Sequence, residues 1–186
     1  MVTIRHEAHS DWAAREALLD RTFGEARFRK TCEQLRRGRL PSPGLAFGAF
    51  DGNELIATLR LWDIMAGSAG KALLLGPLAV APELQGRGIG SALVRHAIQE
   101  AALSGHDAIL LVGDAPYYGR FGFSSARVKG LHLPGPVVRS RFQGLELETG
   151  ALAGAAGLVV PAGRPALPQE GFVPYAENIP SSLVGS

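Results

Sequence analysis

Apolar and polar residues alternate through "VTIRHEA" (2–8), the two-residue period of a short half-buried strand. Ser10-Asp11 then offers an N-cap to "WAAREALLDRTFG", whose apolar positions recur at helical spacing. A second helix is predicted over "RFRKTCEQLRRG", stopped by Gly38 and the "LPSPG" turn. "LAFGAF" and "ELIATLRLWDIM" read as strands joined by Asp51-Gly52, a strong hairpin signal, so an antiparallel pair is expected.

"KALLLGPLAV" (71–80) is a continuous apolar run, as in a strand buried on both faces, with Gly76-Pro77 in its middle. Proline cannot donate a ladder hydrogen bond, so the strand must bulge or lie unpaired there, leaving backbone groups free. From Gly88 the period becomes helical. Ile89, Leu93, Val94, Ala97, Ile98 and Ala101 form one stripe, Ser91, Arg95 and Gln99 lie opposite, and Ser104-Gly105 ends the helix. "AILLV" is another buried strand, so strand, glycine-rich turn, helix and strand predict a right-handed parallel crossover. "DAPYYGRFGF" predicts a short helix opened by Pro116 and closed by Gly122, and "QGLELETGALAG" a last strand. The class is therefore α+β with a mixed sheet. One domain is expected over 1–160, followed by an irregular Pro/Gly-rich tail over 161–186.

Composition adds exclusions. The 186 residues are 46% hydrophobic and 19% charged, which suits one packed domain rather than a disordered chain. A net charge of +2 implies neither nucleic acid nor membrane by itself, but the charges are uneven. Glu7, Asp11, Glu16, Asp20 and Glu25 gather early, Arg27 to Arg39 is almost wholly basic, and 115–145 holds Arg120, Arg127, Lys129, Arg139 and Arg141 with no acid. Cys32 is the single cysteine and is expected to pack rather than react. The five histidines show no metal-ligand spacing, so no metal is expected. With no signal-type N-terminus and no apolar run long enough to span a bilayer, a cytoplasmic protein without membrane contact is the expectation.

The candidate chemistry lies in "VAPELQGRGIGS" (80–91). Glycines immediately before a helix let backbone N–H groups approach a ligand, and the free amides of the helix start favour phosphate. A Walker loop is excluded, since no glycine-lysine-serine or glycine-lysine-threonine string occurs. A dinucleotide fingerprint fits in part: Gly86 and Gly88 match, but Ser91 holds the third glycine place and Pro82-Glu83-Leu84-Gln85 intervenes after the strand.

The whole stretch "LAVAPELQGRGIG" resembles the acyl-CoA signature of the GNAT superfamily of acetyl-CoA-dependent N-acetyltransferases, with Gln85, Gly88 and Gly90 at its three places. It follows a broken apolar strand and opens an amphipathic helix, as that signature does. Downstream, "YYGRFGF" resembles the family's tyrosine and Gly-Phe ending, with Tyr118, Gly122 and Phe123 in register. The first 160 residues look like the YhbS type within the superfamily. Where many members carry an asparagine before the tyrosine helix, this chain reads "VGDAP".

The resemblance implies a GNAT-type fold, a mixed and mostly antiparallel sheet with a splayed central strand pair flanked by helices. It implies acetyl-CoA as cosubstrate, with the turn Gln85, Gly86, Arg87, Gly88, Ile89, Gly90 and Ser91 on the pyrophosphate and Leu78, Ala79 and Val80 beside the pantetheine arm. The implied reaction is acetyl transfer to a primary amine of a small molecule, peptide or protein, by direct attack in a ternary complex. Tyr118 is the expected proton donor to the leaving thiolate, Tyr117 being out of register, and an oxyanion donor is implied near Val80. Asp63, Asp114, Glu25 or water remain open as general base. A non-catalytic acyl-CoA-binding module is the alternative. Nucleic-acid binding is not favoured, since no aromatic stripe accompanies the basic segments. Monomer and homodimer are both compatible. Acceptor loops are expected at about 20–43 and 124–143, whose Arg and Lys content points to an anionic acceptor.

Overall fold

The computed structural model describes residues 1–167; the expected tail lies outside the described residues from 168 on. Eight strands form one mixed sheet. Strand β1 (Val2–His6) pairs antiparallel with β2 (Ala46–Asp51), β2 with β3 (Glu54–Ala66), and β3 with β4 (Lys71–Val80). Parallel pairing joins β4 to β5 (Ala108–Val112), and β5 runs antiparallel to β7 (Phe142–Glu146). Long β3 outruns β2, and the edge beyond is taken by β8 (Ala156–Pro161), which also pairs in parallel with short β6 (Gly130–His132). The sequence period had placed neither β6 nor β8. Three residues are too few to display alternation, and the "AGLVV" of β8 contains glycine at a φ of 107°, which no strand pattern announces.

The chain beyond β8 stays attached through residue 166. Ala162 donates to the Asp63 carbonyl, Leu40 to the Arg164 carbonyl and Ala166 to the Gly38 carbonyl.

Helix α1 (Trp12–Phe23) forms where expected, with Asp11 at its N-cap position. Its carboxylate does not cap the helix, because it accepts instead from the Ala8 amide at 2.7 Å and from Arg5 at 2.8 Å. The second predicted helix is corrected. Residues 25–29 form a 3-10 turn and only Glu33–Arg36 (α2) makes a single α-helical turn. Arg27 and Arg29 therefore lie outside any α-helix, and Arg27 reaches back to Glu16 at 2.7 Å and Asp20 at 3.0 Å. Much of the early acidic cluster is thus spent on internal ion pairs rather than on a solvated face.

Helix α3 (Ile89–Leu103) buries Leu93, Val94, Ala97 and Ala101 against β2, β3, β4 and β5 through Phe47, Leu59, Leu75 and Ile109. Burying each large aliphatic side chain stabilises by about 1.5–3 kcal/mol. The opposite sheet face carries Trp62, Ile64 and Leu74 against Leu35 of α2, with Phe142 and Val159. Helix α4 (Ala115–Gly119) is opened by Pro116 as predicted. Cys32 is mostly buried, and that burial pushes its thiol pKa up, as a packing cysteine requires.

Candidate active site

The break in β4 has a definite geometry. Before it, Leu61 of β3 faces Leu75; after it, Leu59 faces Leu78, so the register slips across Gly76-Pro77. The Gly76 carbonyl freed there accepts from the Trp62 indole at 2.6 Å. On its other edge β4 pairs with β5 only at Leu73 and Leu74, and beyond these residues the two strands diverge.

Pleating decides which groups face the gap. The Ala81 amide donates to the Ile56 carbonyl at 2.8 Å, so Ala81 and, two residues earlier, Ala79 point their backbone groups at β3. The intervening Leu78 and Val80 must then direct N–H and C=O into the divergence. Ala79 was expected beside them and is the exception: it is paired across to Thr58 and has nothing to offer the gap. The Val80 carbonyl already accepts from Gln85 Nε2 at 3.2 Å, which leaves the two amides and the Leu78 carbonyl as the edge presented.

The glycine-rich turn follows directly. Pro82–Leu84 form a 3-10 turn, Gly86 and Gly88 adopt φ values of 78° and 80°, and Gly88 is the N-cap of α3. A Cβ at either glycine would meet nothing within 4 Å, so the space above the turn is open. The amides of Ile89, Gly90 and Ser91 stand at a helix start, where no carbonyl lies four residues back to receive them. Gly90 has a different role from the other two. It is buried, and a Cβ on it would lie 3.1 Å from the Tyr117 hydroxyl and 3.3 Å from Val80 Cγ2. Arg87 is exposed at the turn. Ser91 Oγ accepts from Arg120 at 3.3 Å and lies 3.4 Å from the Tyr117 hydroxyl, while Arg120 stacks 4.6 Å from the Tyr117 ring centre.

Tyr118 comes from the far side of the gap. Asp114 caps α4 by accepting from the Tyr117 amide at 3.0 Å, which fixes the helix so that the Tyr118 ring lies on Gly113 at the end of β5. A Cβ on Gly113 would fall 2.3 Å from the ring, so only glycine leaves the ring in this position. Phe123 holds another side of the ring, edge-on at 5.9 Å. Burial pushes the phenol pKa far above its ordinary value; Tyr117 and Asp114 push in the same direction, and the positive field of Arg141 opposes them.

The three candidate bases are not brought together. Asp114 is occupied as a cap, and Glu25 is exposed in the turn after α1. Asp63 pairs with Leu73, on the sheet face opposite to Trp62. Sequence reasoning missed Gly113, Trp62 and the Glu7 cluster. The Glu7 side chain is 2% exposed and accepts from Arg15 at 3.1 Å, Arg60 at 2.6 Å and the Thr58 hydroxyl. Glu7 also lines a cleft of about 410 Å³, together with His6, Ser42 and Arg164. Among the described residues no group of three His, Cys, Asp or Glu side chains could hold a metal ion, and no helix is long and apolar enough to cross a membrane.

Splayed strands, a glycine turn opening a helix and a tyrosine beyond the gap define an acyltransferase fold, and comparison with known proteins gives the family. The profile of the Acetyltransferase (GNAT) family matches residues 6–123, and the chain belongs to that family. It is 30% identical to the "Uncharacterized N-acetyltransferase YhbS" of Escherichia coli K12 over 157 residues, 84% of this chain and 93% of that protein. A shorter match of 65 residues, 43% identical, links it to the "Uncharacterized N-acetyltransferase YjhQ" of the same organism and spans 34% of this chain and 36% of that one. Among solved structures, Escherichia coli YhbS in complex with CoA superposes with a TM-score of 0.73 at 29% identity, covering 87% of this chain and 89% of that one. A GNAT family acetyltransferase from Brucella melitensis, solved with acetyl-CoA, shares the fold with a TM-score of 0.57 at 24% identity, covering 91% and 97%.

Proposed function

We propose that the protein transfers the acetyl group of acetyl-CoA to a primary amine by direct attack within a ternary complex. One observation carries the reading: Leu78 and Val80 aim free backbone groups into a gap that opens directly beside a phosphate-type turn. A peptide-like pantetheine arm would add to that edge as a strand does, while Gly86 to Ser91 receive the pyrophosphate. YhbS was solved in complex with CoA and the Brucella melitensis acetyltransferase in complex with acetyl-CoA, which supports acetyl-CoA as the cosubstrate.

The chemistry follows from what lines the gap. An amide of Leu78 or Val80 donates to the thioester oxygen as negative charge grows on it. The amine nitrogen attacks the carbonyl carbon, the C–S bond breaks, and the departing sulfur accepts the Tyr118 proton. The amine loses its own proton to water or to a carboxylate that reaches it. Burial makes Tyr118 a weaker acid than an exposed phenol, so its first contribution is a hydrogen bond to the developing thiolate, with Arg141 easing the transfer. Arg87 adds positive charge at the turn, and Gly90 serves by packing under Tyr117.

Thiol release over a panel of amines tests the reading. Tyr118→Phe should lower kcat by about 10²-fold, within the range for removing a general acid, with KM for acetyl-CoA little changed. Acetyl-CoA binding with no release over the whole panel, or release indifferent to Tyr118→Phe, would contradict it.

A further inference from the structure

Two arginines stand on the two lips of the divergence between β4 and β5. On the β4 lip, Arg36 Nη1 lies 3.7 Å from where a Cβ of Gly76 would be, and its side chain is only 10% exposed, so the guanidinium is held in place. Its other nitrogen, Nη2, donates to Glu33 at 3.2 Å, which leaves Nη1 on the break itself. On the β5 lip, the Arg141 carbonyl accepts from the Gly113 amide at 2.9 Å and from Gln143 Nε2 at 3.3 Å. Gly113 is the residue on which the Tyr118 ring rests. The segments bearing the two arginines are tied to one another, since Thr31 Oγ1 donates to the Pro136 carbonyl at 2.6 Å and Gly135 packs on Thr31 and Gln34.

Lys30 adjoins this bridge, its ammonium 4.5 Å from the Phe23 ring centre. Burial lowers its pKa first, and the fields of Arg36 and Arg141 lower it further, while the Thr31–Pro136 hydrogen bond beside it joins the segments that carry the two arginines. Nearby carboxylates are already engaged: Glu33 with Arg36, and Asp114 with the Tyr117 amide. Neither Lys30 nor Arg141 has a carboxylate partner among the described residues.

We infer that the acceptor carries an anionic oxygen group, bound between Arg36 and Arg141 across the mouth of the gap with Lys30 as the third cation. This rests on the acetyltransferase reading and names the class of its amine. Polyamines and other purely cationic acceptors are disfavoured by like-charge repulsion, whereas an amine bearing a carboxylate or phosphate gains charge-assisted hydrogen bonds. The same field helps the nucleophile, because three neighbouring cations favour the neutral amine over its ammonium form. That lessens the demand on a general base.

The test is calorimetric titration of the CoA-saturated protein with inorganic phosphate and, separately, with succinate, so that the glycine turn is already filled. Millimolar binding is expected, weakened about tenfold by Arg36→Gln and equally by Arg141→Gln, as loss of one charge-assisted contact implies. No binding up to about 50 mM, or an affinity unchanged in both variants, would overturn the inference. Failure of CoA itself to bind would instead sink the acetyltransferase reading. The anion titration is then run on the free protein carrying Gly88→Glu to block the turn, where the same two variants decide the inference by the same criteria.

Discussion

Gly113→Ala isolates the placement of Tyr118 from everything else at the site. The new Cβ would lie 2.3 Å from ring atom Cε2 and 2.7 Å from Cδ2. Carbon atoms rest comfortably at about 3.5–4.0 Å, so the ring must retreat by roughly 1.2 Å or more. Misplacement by about 1 Å costs on the order of 10²-fold in turnover, and the overpacking itself about 1–3 kcal/mol of stability. For a domain of this size that stability loss lowers Tm by roughly 2–12 °C. The cradle on α3 is untouched, so affinity for acetyl-CoA should stay within about threefold of the parent. Gly119→Ala is the matched control: it lies on the same short helix, has nothing within 4 Å of the added methyl, and should leave turnover unchanged. Thiol release and calorimetry on the three proteins give the result. Full turnover in Gly113→Ala, or loss of acetyl-CoA binding in step with turnover, would refute the assigned role of the Tyr118 ring.

Three further outcomes are expected. Because burial raises the Tyr118 pKa, the phenol keeps its proton throughout the assay range, and kcat should show no alkaline fall up to about pH 10; a fall near pH 9 that Tyr118→Phe abolishes would contradict this. Glu7→Ala strands the largely buried Arg15 and Arg60 guanidinia without their shared carboxylate and should cost about 3–5 kcal/mol in a denaturant titration, whereas a loss under about 1 kcal/mol would show the cluster to be dispensable. Glu146 accepts from the Gly150 and Leu152 amides and from Arg127, which hold its pKa below the ordinary 4.5. Its stabilising contribution is therefore present above that value and is lost as pH falls through the folded pKa, so Glu146→Gln should flatten the acid limb of the Tm profile, and an unchanged limb would dismiss it.

The sequence carried the site's main line because its features are local. The Gly76-Pro77 break, the turn at 85–91 and the α3 stripe each depend on residues adjacent in the chain, and each forms where the pattern predicted. What escaped depends on contacts distant in sequence. Gly113 looks like a loop glycine until Tyr118 is folded onto it, and Glu7 meets Thr58 and Arg60 only across three strands. Ala79 was grouped with its neighbours because which residue of a strand faces which edge is fixed by a single hydrogen bond, here Ala81 to Ile56. The basic run 27–38 read as one helix, yet only Glu33–Arg36 is α-helical: Arg27 turns back to Glu16 and Asp20 on α1, and Arg39 donates to the Gly163 carbonyl.

The most direct measurement is isothermal titration of the protein with acetyl-CoA, repeated on Gly88→Glu. Gly88 has open space above it and a φ of 80°, so the variant carries some backbone strain but no clash, and its carboxylate enters the proposed pyrophosphate position. Micromolar binding by the parent, abolished in a Gly88→Glu protein that still melts cooperatively, is the result predicted here. A parent that binds no acetyl-CoA at millimolar ligand, or a variant that binds it equally well, would contradict the account.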